Sequence, residues 1–191
     1  PYIYPMWGLG GLPEGFSRLC AVHGGTFMLH ARDPEIIMED GKFAGVVATT
    51  PMGAREAAKA PIIIGDPSYF GEAKSRRVGT VIRSICILDH PVARIGGIPS
   101  GQIILPQKQI GRHNDIYVTI VGQGHGVAQD GMYIAIVSTT AETADPAKEV
   151  QPGIDLLGPV LYRFDNIAPS LEPTDDGTKD GQYVFSSYDA S

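Results

Sequence analysis

What this chain has little of already narrows what it can do. It has two cysteines in 191 residues, Cys20 and Cys86, too few for a disulfide framework; both read as small buried hydrophobes. No Cys-x-x-Cys or His-Glu-x-x-His occurs, and the five histidines, His23, His30, His90, His113 and His125, show no metal-ligand spacing. No Gly-x-Ser-x-Gly nucleophile elbow is present. No apolar run approaches the roughly twenty residues of a membrane-crossing helix, and no secretory leader is visible. Basic charge is short as well: 15 Lys plus Arg face 21 Asp plus Glu, a net charge of −6. That balance argues against nucleic acid, because phosphate contacts need a basic face. The nearest approach to a basic run, Lys74-Ser-Arg-Arg77, reads as a surface turn. The sum suits a cytosolic protein.

What is present is enough chain for one large domain or two small ones, with ample core. Asp40-Gly41, between Ile36-Ile37-Met38 and Phe43 to Val47, is a hairpin signal. Residues 50 to 60 show no periodicity and read as a loop. Pro61-Ile-Ile-Ile-Gly-Asp66 reads as a short buried parallel strand. Longer strands follow at Val81–Leu88, Gln102–Leu105, Ile116–Val121 and Tyr133–Thr139. Ile116, Val118 and Ile120 occupy the more buried face. Asp145-Pro146 starts a helix running towards Leu157, with Pro152 as a kink. A strand near Val160–Phe164, an acidic turn from Asp175 to Gly181 and a last strand, Tyr183-Val-Phe185, close the chain. Mixed strands with few helices make the fold class α/β or α+β.

Chemistry is scarce along this path. Gly122-Gln-Gly-His-Gly126 follows a strand as a phosphate loop does. It lacks the third spaced glycine and the Lys-Ser/Thr, and no long helix follows; it reads as a flexible turn. The paired acids Asp175 and Asp176 read as solvated surface. No catalytic residue and no metal ligand emerges.

The first thirty residues are the informative part. Tyr2-Ile-Tyr-Pro5 is an aromatic extended arm, and Gly8 to Gly11 a glycine turn. A short helix follows with Pro13 in its first turn, where the missing N–H costs nothing. Phe16, Leu19, Cys20 and His23 share its buried face, His23 as a packed core histidine. Glu14, Ser17 and Arg18 lie on the polar face, where Arg18 meets a partner's carboxylates or pairs with Glu14 four residues back. Gly24-Gly25 stops the helix, and Phe27-Met28-Leu29 returns as a strand.

This stretch resembles the Rab GDP dissociation inhibitor family and its sister, the Rab escort proteins. The matching words are Tyr2-Ile3-Tyr4-Pro5, Gly8-Leu9-Gly10, Leu12-Pro13, Gly15-Phe16, Arg18-Leu19 and Gly24-Gly25-Thr26. The likeness continues in order through Asp66-Pro-Ser-Tyr69, Val81 to Pro91, Gln102 to Gln107, Tyr133 to Thr140 and Ser187-Tyr-Asp-Ala190, so it covers essentially the whole chain. It implies a FAD/NAD(P)-binding-like α/β core without flavin, extended by a mixed substrate-domain-like sheet and incomplete here. Residues 1–80 would belong to the nucleotide-domain-like core with its platform helix, and 81–191 to the mixed sheet region. No initiating methionine is present, so the resemblance reads as the later part of a larger inhibitor, with strand edges left unpaired.

The partners implied are Rab-family small GTPases in the GDP-bound, prenylated form, touching membranes only transiently as the Rab is extracted. The positions matching the family's Rab-binding platform are Arg18 and Met28, with Thr26 and Phe27 as accessories. Tyr2 and Tyr4 lie near the path of the Rab C-terminus. Three departures stand out: Gly11 occupies a position that is normally acidic, and Glu14, standing where the family has glutamine, would partly substitute for that lost charge. Trp7 takes the place of a usual tyrosine. No cofactor is implied. The alternatives are a Rab escort protein, accessory to the geranylgeranyltransferase, and a FAD-dependent oxidoreductase of the same fold, which bound yellow flavin would betray.

Overall fold

A computed structural model describes residues 4–187, 189 and 190. The chain divides into two compact units. The first comprises the described residues of Pro1–Leu19, Gly79–Pro169 and Asp189–Ser191, the second Cys20–Val78 and the described residues of Ser170–Tyr188.

The second unit opens with a three-stranded antiparallel meander of β1 (Arg32–Glu39), β2 (Lys42–Thr49) and β3 (Arg55–Lys59). Asp40 and Gly41 both have positive φ, 49° and 75°, as a two-residue type I′ turn requires. The expected hairpin is there, with Glu39 opposite Lys42. β3 is a correction to the loop expected over 50–60. Arg55-Glu-Ala-Ala-Lys59 is fully exposed and built from weak strand formers. Pairing with β2, Val47 opposite Ala57, overrides that preference. β4 (Ile63–Gly65) pairs in parallel with β10 (Gln182–Val184). The parallel reading holds, but Ile64 is exposed. Asp66 ends the strand by accepting a hydrogen bond from the Ser68 N–H at the head of a 3-10 turn.

The first unit holds the main core. Its five-stranded sheet has the order β6 (Gly101–Leu105), β7 (Ile116–Gly122), β8 (Tyr133–Thr140), β5 (Ser75–Leu88), β9 (Tyr162–Pro173); β6, β7 and β8 lie at or near the expected places, while β5 begins earlier than Val81 and β9 runs well past the expected Phe164. Antiparallel register sets Val118 opposite Val137, and Ala135 opposite both Ile120 and Cys86. Ile116, Val118 and Ile120 are fully buried, joined by Ile82, Cys86, Leu88, Val92, Val137 and Leu157 in one cluster. Burial pushes the Cys86 thiol up from its ordinary value, as an inert core cysteine requires.

Over this face lie two one-turn helices, α1 and α2, Pro146–Glu149 and Gln151–Ile154, broken at Val150 beside Pro152. Gly153 lets the second approach closely: a Cβ there would lie 2.6 Å from Val137 Cγ1 and 3.0 Å from Ile116 Cγ2. The expected long kinked helix is thus two short ones.

Two further expectations fail. Phe27-Met28-Leu29 is irregular chain followed by a turn, not a strand. Lys74-Ser-Arg-Arg77 is not a surface turn: Ser75 begins β5, and the Lys74 side chain is largely buried.

Candidate functional site

Tyr2 lies outside the described residues. Tyr4 stands edge-on to the ring of His125, with centroids 5.3 Å apart and planes at 83°, a favoured aromatic geometry. Three residues on, the Trp7 N–H donates to the His125 carbonyl at 2.7 Å, and the Trp7 indole lies on Gly126. A Cβ at Gly126 would fall 2.5 Å from the Trp7 Cε3. Gly126 has φ 68° and Trp7 itself φ 67°. The glycine loop at 122–126, read from sequence as a flexible turn, is therefore the seat of the arm. His125 and Gly126 escaped the sequence reading because nothing local links them to Trp7.

The arm leads into a helix spanning Gly11–Val22. Pro13 is its third residue, still among positions whose N–H has no intrahelical partner. The first full-turn bond runs from the Glu14 N–H to the Gly10 carbonyl, 3.2 Å. Gly11 does not adopt a positive φ, and a Cβ there would meet nothing nearer than the Met6 carbonyl oxygen at 4.0 Å. At the other end Gly24 has φ 84°. The Gly25 N–H reaches back to the Cys20 carbonyl at 2.9 Å and the Gly24 N–H to that of Ala21 at 3.0 Å, a Schellman stop. Gly25 is required, since a Cβ would overlap the Cys20 sulfur.

The expected buried face of this helix is absent. No residue of the helix is buried; Phe16 is 69% exposed and Leu19 52%. Cys20 and His23 are exposed as well, so neither is the packed core residue expected. The amphipathic spacing is real, but no described element covers the apolar side. Glu14 and Arg18 form no ion pair, and Arg18 makes no hydrogen bond among the described residues. The intrahelical alternative for Arg18 is therefore not realised.

In the second unit, Thr26 and Met28 line a groove of about 340 Å³ with Pro34, Val46, Ala48 and Ala57. Phe27, between them in sequence, is not among its lining residues and is 48% exposed. The groove is walled by small apolar side chains, with Glu56 as its charged group.

Buried charge lies elsewhere. Arg112 donates to Glu149 Oε2 at 2.6 Å, with 12% and 5% of the two side chains exposed. Burial alone would raise the Glu149 carboxyl. Hydrogen bonds from the Thr143 hydroxyl, the Glu142 and Thr143 N–H groups and Arg112 outweigh it and hold the carboxyl below its usual value. In the second unit Lys74 sits between Asp175 at 2.9 Å and Asp180 at 2.6 Å. Asp175, read as solvated surface, is thus one jaw of a clamp. Among the described residues no group of three or more His, Cys, Asp or Glu could hold a metal ion, and no helix is long and apolar enough to cross a membrane.

Comparison with known proteins gives one answer. The family model described as GDP dissociation inhibitor matches residues 1–191. The chain is 49% identical over 193 residues to a Rab GDP-dissociation inhibitor of Saccharomyces cerevisiae, spanning all of this chain and 42% of that protein. It is similar to the crystal structure of a Rab GDI from Plasmodium falciparum, with TM-score 0.91 and 42% identity over 98% of this chain and 42% of the other. A flavin-dependent brominase, 9% identical, shares the fold with TM-score 0.56 over 94% of this chain and 49% of that one. The chain thus spans less than half the length of the relatives it matches.

Proposed function

The chain belongs to the GDP dissociation inhibitor family, and we propose that within a protein of its relatives' length it carries the surface that engages GDP-bound, prenylated Rab GTPases. Arg18 offers a planar donor fork to the GTPase, Met28 an adaptable apolar contact beside Thr26 and Phe27, and Glu14 the charge missing at Gly11. Tyr4, with Tyr2, lies along the path of the Rab tail. No bond is made or broken: a surface that favours the GDP arrangement of the switch regions stabilises that state by linkage and so slows nucleotide release. The protein works in the cytosol, without cofactor or catalysis, and returns Rabs from membranes.

The observation that supports this most is the bare helix: twelve residues, none buried, with the Arg18 side chain in no hydrogen bond or ion pair among the described residues. Truncating a hot-spot arginine costs roughly 1–3 kcal/mol of binding. Arg18→Ala in a protein of the relatives' length is expected to weaken binding to GDP-loaded Rab by that amount and leave the melting temperature unchanged. Equal affinity for variant and wild type removes Arg18 from the surface.

A further inference from the structure

His90 closes β5 in a setting that neither the fold nor the binding surface uses. Its Nδ1 lies 3.1 Å from the Pro91 carbonyl oxygen and its Nε2 2.9 Å from that of Pro159. A carbonyl only accepts, so both contacts are hydrogen bonds only when both ring nitrogens carry a proton. A neutral imidazole has one N–H, and its bare nitrogen would then set a lone pair against a carbonyl.

Gly158 builds the seat. With φ 84° it turns the chain back, and a Cβ there would lie 3.1 Å from the His90 Cε1. Three residues on, the Leu161 N–H donates to the Ile87 carbonyl at 2.9 Å, the first bond joining this segment to β5 before β9 begins. The imidazole therefore bridges the end of β5 to the turn that feeds β9.

We propose that His90 is a protonation-dependent clamp: its imidazolium pins the Gly158–Pro159 turn to the end of β5, and deprotonation releases one contact and loosens the start of β9. The neighbours are consistent. Asp89, next in the chain, is the charged group that acts on the ring and favours the imidazolium. Val92, buried, and Gly158 and Pro159 on the opposite side carry no charge. The carbonyls of Pro159 and Pro91 raise the His90 pKa above 6.5, against a smaller opposing effect of burial. A raised folded-state value means the clamp is fully engaged below pH 6.5 and is lost as pH climbs through the folded-state pKa.

The test is a nitrogen–proton correlation NMR titration of the histidine rings in this chain. His90 is expected to titrate above 6.5, with both nitrogens protonated below its transition. Amide protection at Leu161, whose N–H donates to the Ile87 carbonyl, is expected to fall about tenfold through the same transition, after correction for intrinsic exchange. Gly158→Ala, which crowds the ring, is expected to lower the His90 pKa, and His90→Gln to make the protection independent of pH. A His90 that titrates at or below 6.5, or protection at Leu161 that ignores its titration, overturns the clamp. Should a variant fail to fold, the wild-type titration decides.

Discussion

Gly126 lies beneath the indole of Trp7, and the two are matched: the ring occupies the space that a side chain at 126 would need. Both residues hold positive φ, so backbone strain at Trp7 is maintained by a contact more than a hundred positions along the chain. Such strain persists only where surrounding structure over-determines it. Gly126→Ala meets a steric clash and the left-handed backbone at once. It is expected to cost about 1–3 kcal/mol and to shift the emission of Trp7, the single tryptophan of this chain. Unchanged emission with unchanged stability would show that the arm does not depend on this seat.

Gly11 invites the opposite change. The position is open and its φ is not positive, so a glutamate there meets no obstacle. Gly11→Glu removes a flexible glycine from the first turn, worth up to about 1 kcal/mol, and adds a negative charge at the helix N-terminus, worth about 0.3–1 kcal/mol. The expected result is a melting temperature a few degrees higher and tighter binding of GDP-loaded Rab. Higher stability with weaker binding would mean that Glu14 already supplies the charge.

Arg112 and Glu149 set a contrast between buried and exposed ion pairs. Among the described residues, Glu149→Gln leaves Arg112 with Glu142, 3.4 Å away, as its charged partner. Breaking such a buried pair costs about 3 kcal/mol. Glu172→Gln breaks the exposed pair with Arg76 and is expected to cost under about 1 kcal/mol. Urea denaturation of the two variants side by side checks the order, and equal losses would contradict it.

The Lys74 clamp predicts a pH window. The Lys74 ammonium depresses both carboxyls below 3.8, so their contribution is present above 3.8 and disappears as pH falls through the lower folded-state values. Burial would lower the Lys74 pKa, but Asp180 and Asp175 more than offset it and raise it above 10.5. Its contribution is complete below 10.5 and is lost as pH rises beyond the folded-state value. Carbon NMR of the side-chain carboxyls is expected to show Asp175 and Asp180 moving up towards 3.8 in Lys74→Met. Carboxyls that titrate unchanged in that variant would dismiss the clamp.

Much of this molecule was legible along the chain. The Asp40-Gly41 turn and the Gly24-Gly25 stop each depend on bonds within a few residues. Backbone sterics and local hydrogen bonding settle them wherever the segment finds itself. Family membership was legible for a related reason, since it rests on ordered words along the whole chain rather than on a contact.

The tertiary structure decided the rest. The spacing of Phe16, Leu19, Cys20 and His23 defines an apolar stripe, but a stripe is buried only if something covers it, and here nothing described does. Arg55 to Lys59 lacks any strand signal and becomes a strand because β2 offers it an edge. Lys74 reads as one member of a basic run until Asp175, 101 residues away, arrives beside it. Loop 122–126 reads as a turn until Trp7 settles on it. In each case the deciding partner is remote in sequence, and the free energy of such contacts is gained only when folding brings the two segments together.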